Sequence, residues 1–235
     1  MKGSAMPGFH DRLSEEERWD LINFLRTLAA AEQARPLGPR IAPEPWLVAP
    51  DFSYTTVAGA GQTLKDSRGR RLVLLVFFRL PDSHGRLVLL RDLSPSLQRL
   101  GCEVLAVPLH PDREVPSALE TFQRLSLVAD GAAEVATTYT LFRKSLTPAV
   151  SLLHSPLPSH VEFLIDRQGY IRARWLPDGD PGWAEPPVIT RGQAGEIRWL
   201  PASGSGWAEP DHLITAIEQL NREKPRAPAP DEHLH

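Results

Sequence analysis

One short apolar run fixes the centre of this chain's fold. Residues 72–78, LVLLVFF, are all apolar, and a run of this length bounded by polar residues is typical of a strand buried on both faces. Residues 79–86 follow and include Pro81, Asp82 and Gly85, which favour a loop. A helix ending near Gly101 is then predicted from leucines at helical spacing, namely Leu90, Leu93, Leu97 and Leu100.

The order of strand, loop and helix makes residues 80–84 the first candidate site. In α/β proteins, functional groups commonly lie between the carboxyl end of a central strand and the N-terminus of a helix. Pro95 lies inside the predicted helix. It is expected either to kink the helix or to restart it with Ser94 as the N-cap.

The rest of the central region predicts an α/β domain over residues 51–224. Its elements alternate between strands and helices in the order of a thioredoxin-like central sheet flanked by helices. They are a hairpin of 52–57 with 62–64, the central strand, loop and helix, strands 103–108 and 127–128, helices 116–125 and 132–142, a hairpin of 161–165 with 170–175, and a helix over 211–222.

The segments before and after the predicted domain differ from it in composition. A helix is predicted from Ser14 to Ala31, because Ser14 and Glu17 fit a capping box and apolar residues form a stripe along it. Residues 34–50 contain five prolines and are predicted to be an extended linker between this amphipathic helix and the domain that starts at residue 51. The predicted domains are therefore 1–33, 34–50 and 51–224, followed by a disordered tail over 225–235.

A tandem duplication lies between the last predicted strand and the last helix. The segment from Trp175 to Pro186 recurs 24 residues later from Trp199 to Pro210, and eight of twelve positions agree. This is too short for a repeat array. We interpret residues 176–209 as an insertion, which forms a surface excursion or an extra hairpin at the sheet edge.

Composition excludes several classes of partner. The formal net charge of −3 gives no reason to expect nucleic acid or an anionic membrane. No apolar run approaches the ~20 residues of a membrane span, so no direct membrane insertion is expected. The first residues, MKGSAMPGFHDRL, lack the hydrophobic segment of a signal peptide.

The single cysteine, Cys102, limits the thiol chemistry. One cysteine cannot form an intramolecular disulfide or a CxxC pair. Cys102 follows Gly101 and opens the apolar run 104–107, which favours a buried residue at a strand end. The alternative is a reactive thiol, which would make Cys102 the nucleophile of a thiol peroxidase or reductase.

The N-terminal segment resembles the end of a class I c-type cytochrome. The residues that carry the resemblance are AMPGF, at positions 5–9, followed by LSEEERWDLINFLRTL. The resemblance implies that Met6 would be an axial haem ligand in a complete cytochrome domain. The chain lacks CxxCH, so haem is not expected here. We infer that this polypeptide is the C-terminal part of a larger cytochrome or copper-resistance fusion protein.

The main domain resembles the SCO/SenC family of thioredoxin-fold copper proteins, which assist cytochrome oxidase assembly. The matching segments are PDFSYTT, GRRLVLLVFF, LPDSH, VPLHPDREVPSAL and SHVEFLIDRQGYIRARW. The resemblance implies two cysteines, three residues apart, in the loop, and a distant copper-binding histidine. In this chain, Leu80 and His84 stand at the cysteine positions, Pro81, Asp82 and Ser83 lie between them, and His160 stands at the histidine position.

These differences from the SCO/SenC pattern lead to two main hypotheses. Thiol exchange and peroxide reduction need a thiolate, which Leu80 and His84 cannot supply, so we expect a redox-inactive accessory or docking domain. The alternative is a site for Cu(II) or Zn(II) with His84, His160 and Asp82 as ligands. His154 and His110 are weaker ligand candidates, and His233 and His235 lie in the tail.

The resemblances also imply a setting for the protein. Cytochrome c and SCO-like domains work outside the cytoplasmic membrane, so a periplasmic location is expected. The expected partners are other domains of the parent cytochrome or copper-resistance protein, or oxidase assembly proteins.

Overall fold

The computed structural model describes a central α/β domain and parts of the segments before and after it. The described residues are 51–59, 61–109, 122, 124–140, 159–175, 188–191, 197–200, 209–224 and 227, with separate positions between 14 and 50.

The described strands form a seven-stranded sheet with a separate hairpin. The strand order in the sheet is β2-β1-β5-β4-β3-β6-β7. β3 runs parallel to β4 and antiparallel to β6. The strands are β1 Ser53–Thr56, β2 Gly61–Thr63, β3 Leu72–Phe78, β4 Cys102–Pro108, β5 Ser126–Asp130, β6 His160–Ile165 and β7 Ile171–Trp175, and the separate hairpin is β8 Val188–Arg191 with β9 Ile197–Leu200.

The prediction that residues 72–78 form the central buried strand is confirmed. All seven residues of β3 are buried, because successive side chains point to opposite faces and both faces are covered. Val73, Leu75 and Phe77 belong to one hydrophobic core cluster, and the alternate residues belong to the other. The predicted α/β fold class is therefore confirmed.

In the described ranges, three helices pack on the two faces of the sheet. They are α1 His84–Arg99, α2 Ala132–Thr140 and α3 Pro210–Arg222. α1 and α3 pack on the face that carries Leu74 and Phe78, which we call the α1 face. α2 packs on the opposite face through Val135 and Tyr139.

The start of α1 differs from the prediction, and of the two alternatives for Pro95 the restart at Ser94 is wrong. His84 is the first helical residue rather than a loop residue, so the loop is shorter than 79–86. The helix does not restart at Ser94. Instead, Pro95 lies within one helix, and Ser94 is buried with its hydroxyl donating to the carbonyl of Arg124 at 3.0 Å. The tertiary partner of Ser94 explains why this residue is not an N-cap.

The other predicted elements agree where they are described, except that the predicted helix 116–125 does not include Phe122, Arg124 and Leu125, which are not helical. The two hairpins, the strand at 127–128 and the last helix are present. Most of the predicted helix 116–125 lies outside the described residues, while Leu125 closes a turn onto the carbonyl of Phe122 at 2.9 Å. Residues 141–142 also lie outside. Strands β8 and β9 lie within the duplicated region 176–209 and form a sheet of their own.

Near the N-terminus, the predicted capping box is present. The backbone N–H of Ser14 donates to Glu17 at 2.7 Å, and that of Glu17 donates to the Ser14 hydroxyl at 3.2 Å. Residues 15, 17, 18, 21, 22 and 25 are helical. The apolar side chains of Leu21, Ile22 and Leu25 are exposed. In the part of the chain that the structure describes, no helix is long and apolar enough to cross a membrane.

Part of the predicted linker is bound to the domain. The N–H of Ile171 donates to the carbonyl of Leu47 at 2.8 Å, and the N–H of Ala49 donates to Gly169 at 2.9 Å. Leu47 and Ala49 are buried in the core. Residues 47–49 therefore cover the free edge of β7 and protect its backbone groups.

Candidate functional site

The loop of residues 79–83 connects β3 to α1 and is tied to the start of β6. The backbone N–H of Arg79 donates to the carbonyl of Ser159 at 2.8 Å, and the Ser83 hydroxyl donates to the same carbonyl at 2.9 Å. Ser83 is 1% exposed. The loop and the first residue of β6, His160, therefore lie at the same edge of the sheet.

The candidate ligands in the loop have other partners or face solvent. Asp82 accepts hydrogen bonds from the Arg79 guanidinium at 3.0 and 3.2 Å. His84 is exposed, and its ring lies edge-on to Phe122 with the ring centroids 5.7 Å apart. Leu80 is half-buried and Pro81 is exposed.

His160 lies inside the domain, on the α1 face. It pairs in register with Phe78, the last residue of β3, and is 3% exposed. Its ring meets Trp175 edge-on with centroids 5.9 Å apart. Its Nε2 atom is 2.9 Å from Oε1 of Glu162.

Glu162 joins His160 to a buried cation. Arg86, from the first turn of α1, donates to both carboxylate oxygens of Glu162, at 2.7 Å from Nε and 2.9 Å from Nη2. The guanidinium carbon also lies 4.6 Å from the centroid of the Trp175 ring, a favourable cation–π distance. We call these four residues, Arg86, His160, Glu162 and Trp175, the Arg86–Glu162 cluster.

The ionisation of Glu162 fixes the tautomer of His160. Burial would raise the pKa of Glu162, but the charge of Arg86 and the hydrogen bonds from His160 and Arg86 outweigh burial and lower the pKa to about 2. An ionised carboxylate can only accept hydrogen bonds, so Nε2 of His160 carries a proton and donates it to Glu162. The Nδ1 atom is buried and has no hydrogen-bond partner among the described residues.

The lowered pKa of Glu162 predicts an acid-dependent loss of stability. A carboxyl group with a folded-state pKa of about 2, below the ordinary glutamate pKa of 4.5, stabilises the fold above about pH 4.5. We expect a contribution of about 3 kcal/mol at neutral pH, which is lost as the pH falls from about 4.5 to about 2. Denaturant unfolding of the wild type and Glu162→Gln across this range measures it. A difference between the two proteins that does not shrink toward pH 2 would contradict the assignment.

The residues present do not fit the copper ion that the SCO/SenC resemblance implies. Nε2 of His160 is bound to Glu162, and Asp82 is bound to Arg79. A cation, Arg86, already neutralises Glu162. Within the described ranges, no three His, Cys, Asp or Glu side chains are grouped so that they could hold a metal ion. The predicted set of His84, His160 and Asp82 is thus not assembled as a three-ligand site, because two of its members have protein partners.

Cys102 lies at the other end of the sheet from the loop. It pairs with Leu72, the first residue of β3, whereas the loop follows Phe78, the last. A strand of seven residues separates these ends by about 20 Å. Cys102 is buried, as predicted, and burial raises the pKa of its thiol to about 12.

Several predicted residues lie outside the described part of the chain. These are Met6, His110, His154, His233 and His235. The sequence analysis overlooked Arg86 and Glu162. Glu162 could have been recognised, because a carboxylate inside the apolar segment VEFLI must find a cation or donor if the strand is buried on both faces.

Solved structures that are similar to this chain include two peroxiredoxin-type proteins and a thioredoxin domain. Thioredoxin peroxidase I from Plasmodium yoelii is 17% identical with a TM-score of 0.49, covering 79% of this chain and 97% of that one. The mitochondrial 2-Cys peroxiredoxin from Plasmodium falciparum is 12% identical with a TM-score of 0.47, covering 74% and 92%. The thioredoxin domain of a thiol-disulfide oxidoreductase from Bacteroides vulgatus is 20% identical with a TM-score of 0.41, covering 58% and 91%. No curated protein matches the chain.

The family comparison covers the domain that carries the site. The AhpC/TSA family matches residues 47–174, which include the loop, Cys102 and the Arg86–Glu162 cluster except Trp175. The match begins at Leu47, within the segment that is bound to the edge of β7. The narrower SCO/SenC resemblance and the cytochrome fusion stay predictions. The match spans more than half of the sequence, and the chain therefore belongs to the AhpC/TSA family.

Proposed function

We propose that this chain is a redox-inactive AhpC/TSA-family domain that serves as an accessory or docking module of a periplasmic cytochrome or copper-handling protein. One observation supports the part of this proposal that calls the domain redox-inactive. The loop between β3 and α1 contains no sulfur, since its residues are Arg79, Leu80, Pro81, Asp82 and Ser83, and His84 begins the helix.

The location of Cys102 supports the same conclusion. Its distance of about 20 Å from the loop prevents it from replacing a loop thiol. Its sulfur is buried, and its pKa of about 12 keeps it protonated at neutral pH. A protonated, buried thiol is a poor nucleophile toward peroxides and disulfides.

Thiol reactivity and turnover test this half of the proposal. We expect no thiol-dependent peroxide reduction and no disulfide reductase activity with a small dithiol as the reductant. We expect Cys102 to resist alkylation in the native protein and to react fully after denaturation. Turnover in the wild type that disappears in Cys102→Ala would overturn the proposal.

The accessory role rests on the resemblance of the N-terminal segment to a cytochrome c end. Three apolar side chains on the described part of that helix, Leu21, Ile22 and Leu25, are exposed. Binding of the full chain to a purified class I cytochrome c domain, measured by calorimetry, tests this role. We expect saturable binding that weakens in Leu25→Glu. An absence of binding would reject the cytochrome as partner.

A further inference from the structure

Within the Arg86–Glu162 cluster, Glu162 and His160 are two metal-type donors that already hold a cation, the Arg86 guanidinium. A carboxylate and an imidazole are ligands that Zn(II) and Cu(II) accept in proteins. Glu162 and His160 provide one of each, 2.9 Å apart and almost fully buried. Such a pair would be expected to attract a cation, because an ionised carboxylate in a dry environment is costly without one.

Arg86 supplies that cation from within the chain. Its guanidinium contacts both oxygens of Glu162 through two parallel hydrogen bonds, which is the geometry that makes arginine–carboxylate pairs strong. The Arg86 side chain is 10% exposed and that of Glu162 is fully buried. The guanidinium also packs over the Trp175 ring at 4.6 Å, so its position is fixed from a second side.

A metal ion would have to displace this arginine. Oε1 of Glu162 receives hydrogen bonds from both Arg86 and His160, and Oε2 receives the second bond from Arg86. Both oxygens are therefore occupied by protein donors. A divalent ion beside the guanidinium would also be repelled by its charge.

We propose that the Arg86 guanidinium occupies the place of a metal cation at Glu162 and His160, so that the protein's own side chain makes this pair unavailable to metal. This inference rests on the proposed accessory function and deepens it, because it states why the position that the resemblance assigns to copper binding would be inert. It assigns Arg86 the role of a positioning residue, which holds Glu162 ionised and His160 with its proton on Nε2.

Removal of the guanidinium tests the proposal. In Arg86→Met, Glu162 and His160 lose their cation, and we expect the variant to gain one saturable Zn(II) or Cu(II) equivalent by calorimetry. At a metal concentration near 100 times Kd, Tm should rise by about 5 °C or more. We expect no such rise in the wild type, in Arg86→Lys, which keeps the charge, or in Arg86→Met/Glu162→Gln, which lacks the carboxylate.

A comparison that does not alter Arg86 covers the case in which Arg86→Met fails to fold. Wild type and His160→Gln should bind Zn(II) and Cu(II) equally, with any shared binding coming from other histidines. A metal equivalent in the wild type that is lost in His160→Gln would overturn the proposal, as would a folded Arg86→Met without metal binding. Neither outcome affects the thiol assays, so a failure here can be distinguished from a failure of the redox-inactive assignment.

Discussion

Replacement of Arg172 by methionine is expected to lower the free energy of unfolding by about 3–5 kcal/mol. Arg172 lies in β7 with its side chain 2% exposed, and it donates to Asp166 at 3.1 Å and to both oxygens of Glu223 at 2.8 and 2.9 Å. It also donates to the carbonyl of Ala42 at 2.7 Å. The variant leaves the buried carboxylate of Asp166 without its cation. Denaturant unfolding at neutral pH measures the loss.

An exposed arginine provides the matched control for this effect. Arg222 in α3 pairs with Glu218 at 2.8 Å, but its side chain is 76% exposed. Because water screens such pairs, Arg222→Met is expected to change stability by no more than about 0.5 kcal/mol. Equal effects of the two substitutions would show that Arg172 does not hold together the turn between β6 and β7, the end of α3 and residue 42.

Introducing two cysteines into the loop, as Leu80→Cys/His84→Cys, is expected to give the loop a thiol chemistry that leucine and histidine cannot supply. The N–H of Ser83 donates to the carbonyl of Arg79 at 2.9 Å, and that of His84 donates to Pro81 at 3.0 Å, so the loop turns before α1 begins. We expect this turn to bring positions 80 and 84 within reach of a disulfide, which needs Cα atoms about 4.4–6.8 Å apart. The thiol at position 84 would also lie at a helix N-terminus, which lowers its pKa.

Two measurements check this gain. Mass spectrometry should show a reversible loss of two hydrogens after mild oxidation, and disulfide reductase activity should rise from background. The control is Leu80→Ser/His84→Ser, which changes the same positions without adding sulfur. Two loop thiols that stay free under oxidising conditions would show that the loop does not have the geometry of a redox site.

The local sequence was sufficient to predict the elements that determine the fold. A run such as 72–78 has no polar residue to place in water, so both of its faces must be covered, and β3 is buried along its whole length. The absence of cysteine from residues 79–84 is likewise visible in the sequence, and it leaves the loop without the thiolate that disulfide exchange needs. The start of α1 was less predictable, because His84 and Gly85 are compatible with either a loop or a first helical turn.

The state of the candidate site depended on contacts between distant residues. Arg86 and Glu162 are 76 positions apart in the chain, and no local pattern indicates that they meet. They meet because α1 packs across the face of the sheet on which Glu162 points inward, where the cost of burying a carboxylate makes an arginine partner necessary. Sequence alone determined that the loop contains no sulfur, whereas only tertiary packing placed the Arg86 cation beside Glu162 and His160.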